Sequence, residues 1–268
     1  YKVLKYTLFF EDLPKEFEDY AITQISDIHS GSFDNKAKVE YAVDLINAQA
    51  SDAIMFTGDL VNSRTSEMLP WKSTFSKLSA KDGIFSILGN HDYGDYTRWP
   101  SKEDKMANFK DMLKLHKELG FQLLLDEAKF IKKKESQLAI IGVENWGKGF
   151  NQKGDLKKAT SEVNPEDFKI LLSHDPSHWE YEVIDDKLHY HLTLSGHTHG
   201  MQFGIEIPGF IKWSPIKWRY KYWAGLYEKA GQVLNVNRGF GYLAFPGRVG
   251  IWPEITVIKL KKGKPYLG

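Results

Sequence analysis

The sequence predicts an α/β fold, a four-layer α/β/β/α sandwich in which two mixed β-sheets pack face to face. Three observations lead there. Three strand–loop–helix units follow one another between residues 20 and 120, a run of strands comes after them, and five separate strands stop at a residue able to bind metal. Strand–loop–helix succession implies βαβ crossovers and a sheet with helices on its faces. With no internal repeat, low-complexity tract or obvious linker, residues 1–268 read as a single domain.

Tyr20–Ile25 alternates aromatic, small and branched residues as a strand does, ending at Ser26-Asp27. Asp34-Asn35 then offers a helix cap, and Val39, Ala42, Val43 and Ile46 recur with helical period. Ala53–Thr57 is a short buried strand stopping at Gly58-Asp59. Met68, Trp71, Phe75 and Leu78 step by three and four, as in an amphipathic helix. Ile84–Leu88 is a third buried strand, stopping at Gly89-Asn90-His91-Asp92. The next helix starts near Ser101, has Phe109, Leu113 and Leu119 on its apolar side, and stops at Gly120. Beyond it Phe121–Leu125, Ala128–Ile131 and Leu138–Val143 read as consecutive strands, with a turn at Glu135-Ser136. Phe168–Leu172 and His191–Leu194 are further strands, ending at Ser173-His174 and Ser195-Gly196-His197, and Val233–Val236 and Ile255–Leu260 are the last.

In open α/β sheets ligands bind at the carboxyl ends of strands, where loops converge. Asp27, Asp59, Asn90, His174 and His197 all stand at such exits, so residues distant in sequence are expected to share one crevice. The chain has no Cys, which excludes disulfides, thiolate nucleophiles and Cys-based metal sites. Any metal must be held by nitrogen and oxygen. Basic and acidic residues nearly cancel, 36 against 35, which disfavours a surface tuned to nucleic acid.

Taken alone, Asp27-Ile28-His29 reads as a loop carboxylate beside a surface imidazole, and Gly58-Asp59 as a turn. In the functional reading Gly58 lets the backbone pass close to a ligand, while the two oxygens of Asp59 bridge two cations. Gly89-Asn90-His91-Asp92 is more telling, because a turn explains its Asn and Asp but not its His. His174 alone reads as a hydrogen-bonded histidine. Gly196-His197-Thr198-His199-Gly200 is the most specific segment: two histidines at spacing two on a strand would point to one side, between glycines that leave room for substrate.

Together these motifs resemble the calcineurin-like metallophosphoesterase superfamily, in its order, from Asp27 to Gly200. Asn237-Arg238-Gly239, Phe245-Pro246 and Pro253-Glu254-Ile255-Thr256 resemble its bacterial branch, whose members are often membrane-associated phosphodiesterases. The resemblance implies one divalent ion on Asp27, His29 and His199, and a second on Asn90, His174 and His197, with Asp59 between them. It also implies hydrolysis of a phosphodiester or pyrophosphate bond by a hydroxide shared between the ions, with His91 as the acid for the leaving oxygen. Some members have Asp where this chain has Asn62, and that Asp orients the catalytic His. Asn lacks the charge, so His91 is expected to be less basic or to be oriented by Asp92. The donor set suits Mn, Fe, Zn or Co, with Mn favoured by its oxygen share. Phosphomonoesterase activity, or a scaffold that has lost catalysis, are the alternatives. His116, His178, His189 and His191 lie outside the motifs and read as structural or solvent-facing.

Gly209–Leu226 interleaves Phe210, Trp213, Trp218, Tyr220, Tyr222 and Trp223 with Lys212, Lys217, Arg219 and Lys221, and has no acidic residue. Such a stretch suits a membrane headgroup region and a lipid-linked or nucleotide-linked phosphate-ester substrate, or else packs its rings on a sheet edge. Lys261-Lys262-Gly263-Lys264 reads as a solvated tail. No run of residues is long and apolar enough to span a bilayer. The chain opens on Tyr1, so the expectation is a membrane-associated protein whose anchor could lie upstream.

Overall fold

The branched and aromatic segments at Tyr20, Ala53 and Ile84 form adjacent parallel strands in a computed structural model that describes residues 1–207 and 209–264. Their sheet runs in the order β1 (Lys2–Phe10), β14 (Glu254–Lys262), β2 (Tyr20–Ile25), β3 (Ala53–Phe56), β4 (Ile84–Ser86), β5 (Phe121–Leu123). It is parallel except where β14 meets β2. A second sheet runs β12 (Gly225–Lys229), β13 (Gln232–Val236), β9 (Leu192–Ser195), β8 (Phe168–Leu172), β7 (Ser136–Gly142), β6 (Glu127–Lys133), antiparallel only at its two outer pairs. A hairpin of β10 (Ile205–Ile207) and β11 (Ile211–Trp213) belongs to neither.

The sheets face each other through one apolar core. Leu8, Phe10, Ile22, Met55 and Phe85 of the first sheet meet Leu138, Ile140, Phe168, Ile170 and Leu194 of the second, all buried. Burying a side chain of this size stabilises the fold by about 1.5–3 kcal/mol. Helices cover the outer faces. On the first sheet lie α1 (Lys36–Asn47), α2 (Lys72–Phe75) and α3 (Lys102–Glu118); on the second lie α4 (Leu156–Ala159) and α5 (Ser177–Tyr181). Asn35 and Ser101 cap α1 and α3, accepting hydrogen bonds from the Lys38 and Asp104 amides. The four-layer sandwich is therefore as expected.

Several expectations are corrected. The steps from Met68 to Leu78 do not make one helix: Pro70 sits in a 3-10 segment, Thr65–Trp71, and only α2 is α-helical. Proline has no amide to donate, so the i→i−4 ladder cannot run through it. The hairpin turn is Lys134-Glu135, one residue earlier than expected, and Ser136 already pairs with Lys133. Strands β1, β10, β11 and β12 had no counterpart in the sequence pattern. Lys261 and Lys262 are not tail residues but the end of β14, where the Lys261 ammonium lies 3.1 Å from Asp19. Among the described residues, no helix is long and apolar enough to cross a membrane.

Candidate metal centre

Strand exits deliver the predicted residues to one place at the seam between the sheets. From the first sheet, β2 leads to Asp27 and His29, β3 to Asp59, and β4 to Asn90 and His91. From the second, β8 leads to His174, and β9 to His197 and His199. The Asp27 loop lies beside the Asp59 loop, with the Asp27 amide donating to Gly58 O, His29 to Asp59 O and Ser30 to Leu60 O. Gly89 and Gly196 are required by crowding, since a Cβ on the first would run into Asp59 Oδ1 and one on the second into Asp27 Oδ2.

Two trios result, Asp27, His29 and His199, and Asp59, His174 and His197, each with one ligand-type atom per residue lying within 4.8 Å of the others. In the first, His29 Nε2 is 3.0 Å from His199 Nε2, which is 3.2 Å from Asp27 Oδ1. In the second, His174 Nε2 is 3.2 Å from Asp59 Oδ2 and 3.3 Å from His197 Nδ1, and Asn90 Oδ1 joins at 2.9 Å from His197 Nδ1. Asp59 Oδ2 is also 3.5 Å from His29 Nε2, so it faces both trios, while Asp59 Oδ1 accepts the His91 amide.

Surrounding acceptors fix the tautomers. His174 Nδ1–H donates to Thr57 O at 2.7 Å, and His29 Nδ1 faces Asn62 Oδ1 at 3.1 Å. His197 presents its other nitrogen outward: Nε2–H donates to the Tyr220 hydroxyl, which donates to Asp175 Oδ2. The inward nitrogens of His29, His174 and His197 are thus lone pairs turned toward carboxylate and amide oxygens in a buried cluster. Only protons or cations reconcile such a set, and the N/O donors suit a divalent ion. Protons do so incompletely. Burial opposes charge on His174, yet Asp59 and Asp27 push it up to about 10, whereas burial brings His29 down to about 3 and also lowers His197. Asp59, despite its burial, is held well below the usual carboxylate range by His174 and His91.

The backbone is strained here. Asp27, His29, Asp59, His197 and His199 all have φ between 47° and 70°, a left-handed region that costs a non-glycine residue roughly 1–2 kcal/mol. Strain of this kind gathers at functional sites. It also corrects the expectation for His197 and His199. Their strand ends at Ser195, and the two side chains diverge into different trios because both residues turn left-handed.

His91 stands at the mouth. Its Nδ1–H donates to the Asn62 main-chain carbonyl at 2.6 Å, Nε2 has no hydrogen-bond partner among the described residues, and Tyr96 stacks on its ring at 4.2 Å. Asp92 does not orient it. That carboxylate instead receives the amides of Gly89, Asp59 and Leu60, clasping the two loops together. The sequence reading missed the roles of Tyr220, Asp175 and Thr57, and also missed Arg248. The Arg248 guanidinium donates to Gly239 O and Gly241 O and sits 3.3 Å from His199 Nδ1. Asp175, adjacent to His174 at a strand exit, was the one with a local signal. A cleft of about 230 Å³ opens over the trios, walled by Tyr96, Phe150, Ile216, Arg219, Tyr220 and Leu243.

Residues 20–201 match the calcineurin-like phosphoesterase family. A transmembrane protein with metallophosphoesterase domain from Danio rerio is 27% identical over 274 residues, covering 97% of this chain and 57% of that protein. The metallophosphoesterase YkuE of Bacillus subtilis is 28% identical over 255 residues, covering 93% and 82%. The chain thus spans little more than half the length of the Danio rerio relative. The sulfate thiohydrolase SoxB of Thermus thermophilus shares the fold, with a TM-score of 0.50 at 10% identity over 93% of this chain and 57% of that one. The chain belongs to the calcineurin-like phosphoesterase family.

Proposed function

We propose that this chain hydrolyses a phosphodiester or pyrophosphate bond, using two divalent cations, with Mn favoured. Asp27, His29 and His199 would hold one, and Asn90, His174 and His197 the other, with Asp59 between them. The observation that carries the reading is the single oxygen, Asp59 Oδ2, facing both trios at 3.5 and 3.2 Å. When bound, such a pair supplies an acidified water and neutralises phosphoryl oxygens. The chain's own residues do the rest. Asp59 keeps one oxygen on the His91 amide and so holds the other in place between the trios. His91, fixed through Nδ1, offers Nε2 as the acid for the leaving oxygen. The Tyr96 ring on its face limits its swing.

The cleft walls favour a diester over a monoester. Tyr96, Phe150, Ile216 and Leu243 give an apolar surface, and Arg219 is the one Lys or Arg among the lining residues. That combination has room for a second substituent on the phosphorus, nucleotide-linked or lipid-linked. The test compares bis(p-nitrophenyl) phosphate with p-nitrophenyl phosphate in Mn, Zn and Mg, with metal content measured alongside. The diester should turn over faster, chelator should abolish turnover, and His197→Ala should lower it roughly a hundredfold or more with loss of bound metal. Activity that ignores both chelator and the substitution removes the proposal, and preference for the monoester makes the chain a phosphomonoesterase.

A further inference from the structure

The hairpin of β10 and β11 grows out of the loop bearing His197 and His199 and returns to the segment that gives Ile216, Arg219 and Tyr220 to the cleft. Its register pairs Ile205 with Trp213, Glu206 with Lys212, and Ile207 with Ile211. Directly opposed residues share a face, and faces alternate along a strand. Ile205, Ile207, Ile211 and Trp213 therefore lie on one face, and Glu206 and Lys212 on the other.

The polar face is anchored. Glu206 pairs with the buried Arg238, and the Lys212 ammonium bonds to Ala224 O and lies 4.8 Å from the Tyr227 ring centre. Among the described residues, the apolar face has no covering layer. Its three isoleucines are about half exposed, and Phe210, at the turn, is 87% exposed. Phe203 bridges to Val249, both half exposed, and continues the same alternation. Trp218, 76% exposed, has its ring 6.2 Å from that of Trp213. Of the fifteen large apolar side chains exposed among the described residues, ten lie between Met201 and Trp252. An apolar patch so concentrated marks an interaction site.

Charge selects the occupant. Residues 188–253 contain seven basic and two acidic residues, which leaves 29 basic and 33 acidic for the rest of the chain. A second copy of the chain would bring like charge against like charge, and protein interface cores are depleted in Lys. An anionic bilayer accepts both features. Rings and branched chains enter the acyl boundary while Lys217, Arg219 and Lys221, all exposed, stay level with the phosphates.

We propose that the apolar face of this hairpin, with Phe210 and Trp218 at its edge, docks the chain onto an anionic membrane surface with the cleft beside the lipid headgroups. The proposal revises the stretch singled out from sequence: Tyr220 and Trp223 are buried and face the protein, and the surface extends upstream to Phe203. It rests on the proposed phosphoesterase activity only in placing the cleft next to its substrate.

Co-sedimentation with phosphatidylcholine vesicles, with and without phosphatidylserine, at low and high salt, tests it without any catalysis. The chain should bind the anionic vesicles and release them in high salt. Phe210→Ser with Trp218→Ser should weaken partitioning about tenfold or more. The double variant should keep its thermal midpoint and its turnover of a soluble diester. Phe210→Ser alone, at the most exposed position, should give a smaller loss in the same direction. No binding, equal binding to neutral vesicles, undiminished binding by the double variant, or a dimer in sedimentation velocity that the double variant dissolves would each overturn the proposal. A chain that binds vesicles but hydrolyses no diester would leave the docking standing and defeat the enzymatic reading.

Discussion

Asn62 holds two histidines at once: its side-chain oxygen faces His29 Nδ1, and its main-chain carbonyl receives the proton on His91 Nδ1. The sequence placed Asn62 beside the acid but did not show that its main chain serves His91 while its side chain serves His29, since only coordinates separate a side-chain contact from a main-chain one. Asn62→Ala should therefore weaken metal binding about 10–100-fold, as lost outer partners of ligands do. At saturating metal the pH–rate profile should keep its form, because the carbonyl on His91 survives. Metal titration and pH profiles of the variant check this; a shifted profile with unchanged metal affinity would mean that the side chain serves His91. All seven metal-ligand candidates were legible as residues of the right chemistry at strand exits. Their partners were not, apart from Asp175 beside His174, because Thr57 O and Tyr220 reach the imidazoles through space and carry no periodic or motif signal. Nor was the left-handed backbone at five of the seven, which propensity alone argues against.

At the scale of elements, α3 was read correctly from its Ser101 cap to its Gly120 stop, yet its buried side includes a residue the sequence left undecided. His116 is fully buried, with Nδ1 bonded to Ser86 Oγ and rings of Phe56 and Phe121 about 6 Å away. Burial alone lowers it from 6.5 to about 3. Below pH 6.5 the unfolded chain takes up a proton that the folded chain refuses. Stability from this group is therefore full above 6.5 and falls as the pH drops toward 3, by about 1.4 kcal/mol per unit. Unfolding free energies from denaturant titrations at pH 7 and pH 5 should differ by about 2 kcal/mol more in the native chain than in His116→Phe. An equal pH slope in both would mean that His116 is not the sensor. The missed strands have a plain cause. β1 lies at the edge of its sheet and pairs only with β14, from the opposite end of the chain, so no local pattern announces its partner. The Met68–Leu78 periodicity did mark a buried face, on which Met68, Phe75 and Leu78 all lie, but Pro70 decided the backbone.

For the whole molecule, the two sheets were foreseen and so was their meeting at the site; the hairpin that stands outside both was visible only as an aromatic, basic stretch. Each trio draws on both sheets: Asp27 and His29 with His199, and Asp59 with His174 and His197. Binding there should stabilise the fold as well as enable chemistry. At an ion concentration a hundredfold above Kd the gain is about 2.7 kcal/mol, which in a chain of this size raises Tm by about 5–10 °C. Calorimetry before and after chelation, with Mn added back, checks the shift, and His199→Ala should shrink it. An unchanged Tm would leave the trios as ordinary buried hydrogen-bonded clusters. Two cations across that seam would act as rivets loaded in shear. Pulled from opposite edges in an optical trap, the two halves should slip past one another at a lower force once the rivets are drawn.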